Sequence, residues 1–199
     1  MGFTSIQSQG LSAPPYFLSF LCTIITSIIA DRTQQRGIVI ICCCLVGGIG
    51  YIMLAATKSV ASRYAGCYLA AAGIFPAIAN ILPWVTNNQG NDTRRGTGIM
   101  ILNLIGQCGP LLGTNIYPTK QGPLYIEGQS ICAAFMFFAA ILAFGLRCLL
   151  QWENKKLDRK YGTLEEQRAR LATAEATEKD SMEATAAVEN EGPMFRYIL

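Results

Sequence analysis

Residues 1–151 of this 199-residue chain carry 11 charged side chains, whereas residues 152–199 carry 18. A water-soluble body covers its surface with charged residues at roughly a quarter to a third of positions. The first 151 residues fall far below that, so their solvent is lipid, and the charged remainder is a solvated tail. In lipid, a spanning backbone must satisfy its own polar groups, which leaves helices or closed barrels. The apolar runs here do not alternate in the two-residue period of barrel strands.

Five runs can be read, at about 13–30, 38–57, 64–86, 97–118 and 128–151. Each is near the ~20 residues needed to cross ~30 Å of hydrocarbon as a helix. The predicted organisation is an external segment 1–12, a transmembrane domain 13–151, and a cytoplasmic tail 152–199. Residues 1–12 lack the basic leader and the small-residue cleavage pattern of a signal peptide, and read as a polar approach to the first helix.

The links between runs set the orientation. One side holds Arg32, Arg36, Arg94, Arg95, Lys155, Lys156, Arg159 and Lys160; the other holds Lys58, Arg63 and Lys120. The more basic side is expected to be cytoplasmic, with the N-terminus external and the C-terminus inside. Asn91-Asp92-Thr93 matches a glycosylation sequon. Its predicted cytoplasmic place means it is expected to stay unmodified.

The net charge of +3 is small and unclustered, which excludes a nucleic-acid footprint. The chain has no histidine, which excludes histidine triads, histidine metal sites and histidine proton relays. It has eight cysteines but no Cys-x-x-Cys pair. Cys42, Cys43 and Cys44 are consecutive in an apolar run, where they read as small packing residues rather than metal or disulfide partners. Cys148 lies near a membrane edge. Palmitoylation is conceivable there, but packing is the expectation.

The runs differ in kind. The second and fifth are apolar all round, which suits helices that tolerate lipid on several sides. The first carries Tyr16, Ser19, Thr23, Thr26 and Ala30 at spacings of three and four. The third carries Gly66, Ala70, Gly73, Ala77, Asn80 and Trp84, with Pro76 and Pro83 as expected bends. The fourth carries Asn103, Gly106, Gln107, Pro110, Gly113, Thr114 and Tyr117, opposite a face of Ile101, Leu104, Ile105, Cys108, Leu111 and Leu112. The small residues read equally as close helix packing, Gly109-x-x-x-Gly113 included, or as a pathway wall. Asn103 and Gln107 are more telling. An amide facing lipid is costly, so these two are expected to meet protein or a water-filled path. Asn103, Gln107, Asn80 and Thr23 are the predicted substrate-pathway residues.

Beyond Trp152, residues 153–176 are rich in Lys, Glu, Arg, Ala and Leu and are expected to be helical in part. Residues 177–193 are acidic and polar, with the composition of disorder. The last residues, Gly192-Pro193-Met194-Phe195-Arg196-Tyr197-Ile198-Leu199, regain apolar character. A docking peptide is one reading, and a loose end is the expectation.

Ser27 to Arg36, with Asp31 and Arg32 inside it, resembles the Gly-x-x-x-Asp-Arg-x-x-x-Arg loop of the major facilitator superfamily, Ser27 standing where the first glycine usually is. Trp84-Val85-Thr86-Asn87-Asn88, Arg94-Arg95, Asn103, Gly106-Gln107-Cys108-Gly109-Pro110, Tyr117-Pro118 and Gly122-Pro123-Leu124-Tyr125 are similar to the fungal allantoate-permease branch. So is Asn154-Lys155-Lys156-Leu157-Asp158. The resemblance covers nearly the whole chain and implies an all-α membrane protein: five transmembrane helices matching helices 8 to 12 of a major-facilitator C-terminal half, plus a cytoplasmic tail. It implies that helices 1 to 7 lie outside this chain and that the first, third and fourth runs border a central cavity, while the second and fifth lie outside it. Asp31, Arg32, Arg36, Arg94 and Arg95 are the expected cytoplasmic gate or topology residues; the resemblance implies that Asp31 latches the gate, and a topology marker is the alternative.

The function this resemblance implies is proton-coupled transport of a small carboxylate such as nicotinate, pantothenate or allantoate, by a partial carrier in the plasma membrane. The proton is the only expected coupling ion, and no other cofactor is expected. The expected partners are the bilayer, the solute and the N-terminal half of the carrier. The alternative is a shortened, non-transporting scaffold or partner subunit. An enzyme is disfavoured, because the body offers no buried acid, Ser-His pairing or metal cluster.

Overall fold

A computed structural model describes residues 5–118, 122, 124–166 and 195–199. They form six helical segments: α1 Ser5–Thr33, α2 Arg36–Ala56, α3 Val60–Asn87, α4 Asp92–Gly106, α5 Cys108–Ile116 and α6 Ile126–Tyr161. Five helices are long and apolar enough to cross a membrane, with α4 and α5 together making the fourth crossing. The expectations for Lys120, Pro123 and residues 177–193 fall outside the described residues.

Several helices depart from the predicted spans. α1 begins at Ser5, so the predicted external segment 1–12 is largely helical. Pro14 and Pro15 sit inside this helix. A proline removes one i→i−4 bond and frees the carbonyl four residues back. For Pro15 that carbonyl belongs to Leu11, and the Tyr64 hydroxyl of α3 donates to it at 2.9 Å. A side chain of α3 thus satisfies a carbonyl that Pro15 orphans.

α6 runs unbroken for 36 residues through Tyr161, ten beyond the predicted membrane edge at Gln151. At about 1.5 Å per residue it exceeds the hydrocarbon thickness. Its last turns, from Glu153 to Lys160, therefore project from the bilayer as a charged helical extension. The Lys, Glu, Leu and Arg residues there favour helix as well as the apolar residues do, so loss of apolarity marks the membrane edge but not the helix end.

The fourth crossing is split at Gln107. Pro110 supplies the reason: its missing N–H would have bonded the carbonyl of Gly106, where α4 ends. α3 holds both Pro76 and Pro83 yet remains one helix of 28 residues. It is packed along its length against α2. α4 and α5 bury no residue and gain no such support.

α2 is the centre of the packing, lying between α3 and α6, with α1 resting on α3. This differs from the expectation that the second run is a peripheral, lipid-tolerant helix: its apolar window is the most buried of the five. Glycines make the approach possible. A Cβ on Gly73 would fall 2.5 Å from the Cα of Gly47, and one on Gly50 would fall 2.9 Å from both the Cα of Ala70 and the carbonyl oxygen of Gly66. Gly48 faces the ring of Phe137 on α6. The core cluster is Ile40, Cys43, Cys44, Ala77, Trp84, Ala140, Ala143 and Leu150. Cys43 and Cys44 thus pack as read from sequence, whereas Cys42 and Cys148, also expected to pack, are exposed.

The loose-end expectation for the final residues is also corrected. Phe195–Leu199 lie against the N-terminal end of α2, the C-terminal end of α3 and the charged extension of α6, with Tyr197 and Leu199 packed on the core cluster.

Candidate functional site

Asn103 and Gln107 fall on adjacent turns at the end of α4. Gln107 is the turn residue between the half-helices, and its backbone N–H bonds the Asn103 carbonyl at 2.9 Å. Asn103 donates its amide to the Ile99 carbonyl at 3.0 Å, and both residues are exposed. The structure therefore brings these two together on one bare polar surface, with Thr114 and Asn115 further along α5 also bonded to their own helix at Leu111. The opposite face is equally bare, with Ile101, Leu104 and Leu111 all exposed. A Cβ added at Gly106, Gly109 or Gly113 would meet nothing within 4 Å among the described residues.

The other two predicted pathway residues lie elsewhere. Thr23 is half-buried on α1, its hydroxyl bonded back to the Ser19 carbonyl at 2.8 Å. Asn80 is fully buried on α3, with its amide donating to the Pro76 carbonyl at 2.9 Å. It lines no open surface among the described residues, unlike a residue of a pathway wall. Its spacing placed it on the Gly66–Trp84 stripe, and that whole stripe is buried. The Asn80 side-chain oxygen has no partner among the described residues, a costly state for a buried acceptor.

The basic link is a compact turn. Asp31 pairs with Arg36, whose side chain is nearly buried while the Asp31 carboxylate is largely exposed. Gln34 takes the left-handed conformation with φ of 54° that ends many helices, and its side chain bonds the Asp31 carbonyl at 2.6 Å. Arg147 of α6 donates to Gln35 at 3.1 Å, fastening the link to α6. Arg95 donates to the Thr86 carbonyl at 3.2 Å, covering the C-terminal end of α3, and lies 3.5 Å from Asp92. Arg32 sits in the last turn of α1 and Arg94 in the first turns of α4. Asp31 and Arg36 are thus joined within one link, and Arg95 serves a different helix end.

A further feature went unread in the sequence. A cavity of about 600 Å³ opens between α1, α2, α3 and α6, near the ends opposite the basic link. Tyr16, Tyr51, Tyr64, Tyr117 and Gln129 give it polar groups in a mostly apolar wall. Its volume is in the range of small-molecule sites. The Gln129 side-chain oxygen is buried without a partner among the described residues. The Tyr117 hydroxyl lies 3.2 Å from the Cys132 sulfur, and the rings of Tyr16 and Phe75 meet edge to face at 5.5 Å. Among the described residues the wall contains neutral donors and acceptors and no acid or basic side chain. Tyrosines near the ends of apolar runs were its only sequence signal, and they also mark ordinary membrane interfaces.

Comparison with known proteins gives consistent relatives. The chain is 31% identical over 156 residues to the high-affinity nicotinic acid transporter of Saccharomyces cerevisiae, an alignment covering 78% of this chain and 29% of that protein. It is 30% identical to the MFS transporter prlL of Fungal sp., over 83% of this chain and 34% of the relative. It is 28% identical to the MFS-type transporter cnsO of Penicillium expansum, over all of this chain and 38% of the relative. No family model matches the chain, and no solved structure matches it. The chain therefore spans about a third of the length of these relatives, which are transporters rather than enzymes.

Proposed function

We propose that this chain is part of a proton-coupled carrier that moves a small organic carboxylate, nicotinate-, pantothenate- or allantoate-like, across the plasma membrane. We place it in the fungal allantoate-permease branch, with its N-terminus external and its C-terminus cytoplasmic. The observation that carries this reading is the fourth crossing. It is a split helix whose amide pair is bare, in a chain similar to a nicotinic acid transporter over 78% of its length.

Broken helices in carriers set irregular backbone and polar side chains where they line a cavity. Asn103 and Gln107 suit that place. A side-chain amide both donates and accepts, so it can bond a carboxylate and a ring nitrogen or amide, and it adds no charge to the membrane. The split frees the Gly106 carbonyl beside them. The rest of the cavity comes from a partner half, and transport follows from the two halves rocking about the site.

The test places four substitutions in a full-length carrier that contains this sequence and measures uptake of labelled nicotinate. Asn103→Ala or Gln107→Leu each remove a bond to a charged ligand, which costs about 1.5–3 kcal/mol, or roughly ten- to hundredfold in apparent affinity. Ile101→Ala and Leu111→Ala leave affinity unchanged. Equal losses in all four, or a fall in surface abundance alone, would instead mark α4–α5 as the packing face of a non-transporting scaffold.

A further inference from the structure

We propose that the N-terminal end of α2, the C-terminal end of α3 and the charged extension of α6 form a peptide-binding groove whose resident ligand is the chain's own last five residues, Phe195–Leu199. The groove reads the backbone of that segment. Asn154 of α6 accepts from the Tyr197 N–H and donates to the Tyr197 carbonyl, both at 2.8 Å. Asn88, at the end of α3, accepts from the Ile198 N–H at 2.7 Å and donates to the Ile198 carbonyl at 3.1 Å. The indole N–H of Trp84 donates to the same carbonyl at 2.9 Å. Successive residues of an extended chain point their polar groups to opposite sides. Two asparagines on separate helices therefore clamp two consecutive residues, and each satisfies both backbone groups of its residue.

The ends of the segment are held differently. At one end the Gly37 N–H, in the first turn of α2, donates to the Leu199 carbonyl at 3.1 Å. The positive end of the α2 dipole favours an acceptor there. A Cβ at Gly37 would lie 3.1 Å from the Trp84 ring and 3.4 Å from the Leu199 carbonyl carbon, so glycine keeps this floor open. At the other end Arg196 pairs with Asp158 at 2.7 Å and donates to the Gly162 carbonyl at 2.8 Å, fixing the direction of the peptide. Tyr197 and Leu199 supply the apolar anchors on the core cluster.

The groove thus selects an extended Arg-aromatic-apolar-Leu segment, and its occupant stitches the end of α3 to both α2 and α6. This does not depend on what the protein carries. It ties the end of a helix holding Asn80 to the charged extension of α6, so release of the segment frees that end of α3.

Trp84 reports on the groove. It is 4% exposed, and the chain's other tryptophan is Trp152. In the full chain in lipid nanodiscs, Trp152→Phe leaves Trp84 as the sole emitter. Deleting residues 195–199 in that background is expected to raise acrylamide quenching severalfold and shift emission to the red. Adding the peptide Phe-Arg-Tyr-Ile-Leu is expected to reverse both changes, and a scrambled peptide to reverse neither. Two full-length variants carry the test if the deletion does not yield monodisperse protein. Ile198→Pro removes the donor that Asn88 accepts. Asn154→Ala removes two bonds and is expected to shift the docked-to-free ratio roughly tenfold. Unchanged quenching in the deletion, or in both full-length variants, would overturn the proposal. So would a deletion that exposes Trp84 but is reversed equally by the scrambled peptide or by neither peptide.

Discussion

α3 and the α4–α5 pair both carry small residues at spacings of three and four, yet they meet opposite surroundings. On α3, Gly66, Ala70 and Gly73 press into α2 at backbone distance. On α4–α5, Gly106, Gly109 and Gly113 face nothing within 4 Å among the described residues. Proline repeats the contrast. Two prolines leave α3 continuous, and one splits the fourth crossing. The difference shows that spacing specifies a helix able to pack closely but not whether a neighbour exists. α3 has its neighbour within this chain. α4–α5 presents an amide pair and a glycine face that the described residues leave uncovered, which suits a surface completed by another part of a carrier.

The largest effect that tests this contrast is expected at Gly73. A leucine there would drive into the Gly47 backbone and the Cys43 carbonyl, neither of which is a flexible side-chain end. Overpacking of this kind is expected to cost about 3 kcal/mol, read as a lower denaturant midpoint of the purified chain in micelles. A loss below about 1 kcal/mol would mean that the α2–α3 seam is looser than its geometry.

The smallest effect is expected at Gly113. Leucine there meets open space, so stability in the same assay should change by no more than about 0.5 kcal/mol. A loss matching that at Gly73 would erase the contrast and show that the face is already packed, by a second copy of the chain.

The five crossings were legible in the sequence because about 20 apolar residues in a row have few alternatives in lipid. Asn103 and Gln107 drew attention because an amide within such a run stands out, and the structure places them on adjacent turns beside the split. What was not legible depended on distant partners. Pro110 splits its helix while Pro76 and Pro83 do not, and the neighbour that decides this is not local. Asn80 was placed on the right stripe, but only the fold shows that α3 buries that stripe. Asn88 and Asn154 fall in polar segments with no pattern linking them to Tyr197 and Ile198, so the docked end read as loose. The tyrosine-lined cavity is assembled from the ends of several elements and has no contiguous signature.

The central claim is that the Asn103 face of the fourth crossing looks onto a water-filled path, while the Ile101 face looks onto lipid. Both positions are exposed in this chain, so chemistry has to separate them. Asn103→Cys and Ile101→Cys can be made in a full-length carrier containing this sequence, reconstituted in a bilayer, and treated with a charged, membrane-impermeant maleimide. Peptide mass spectrometry then reads each site apart from the native cysteines. The account predicts modification at position 103 and none at position 101. Equal modification at both positions, or none at either, would contradict it.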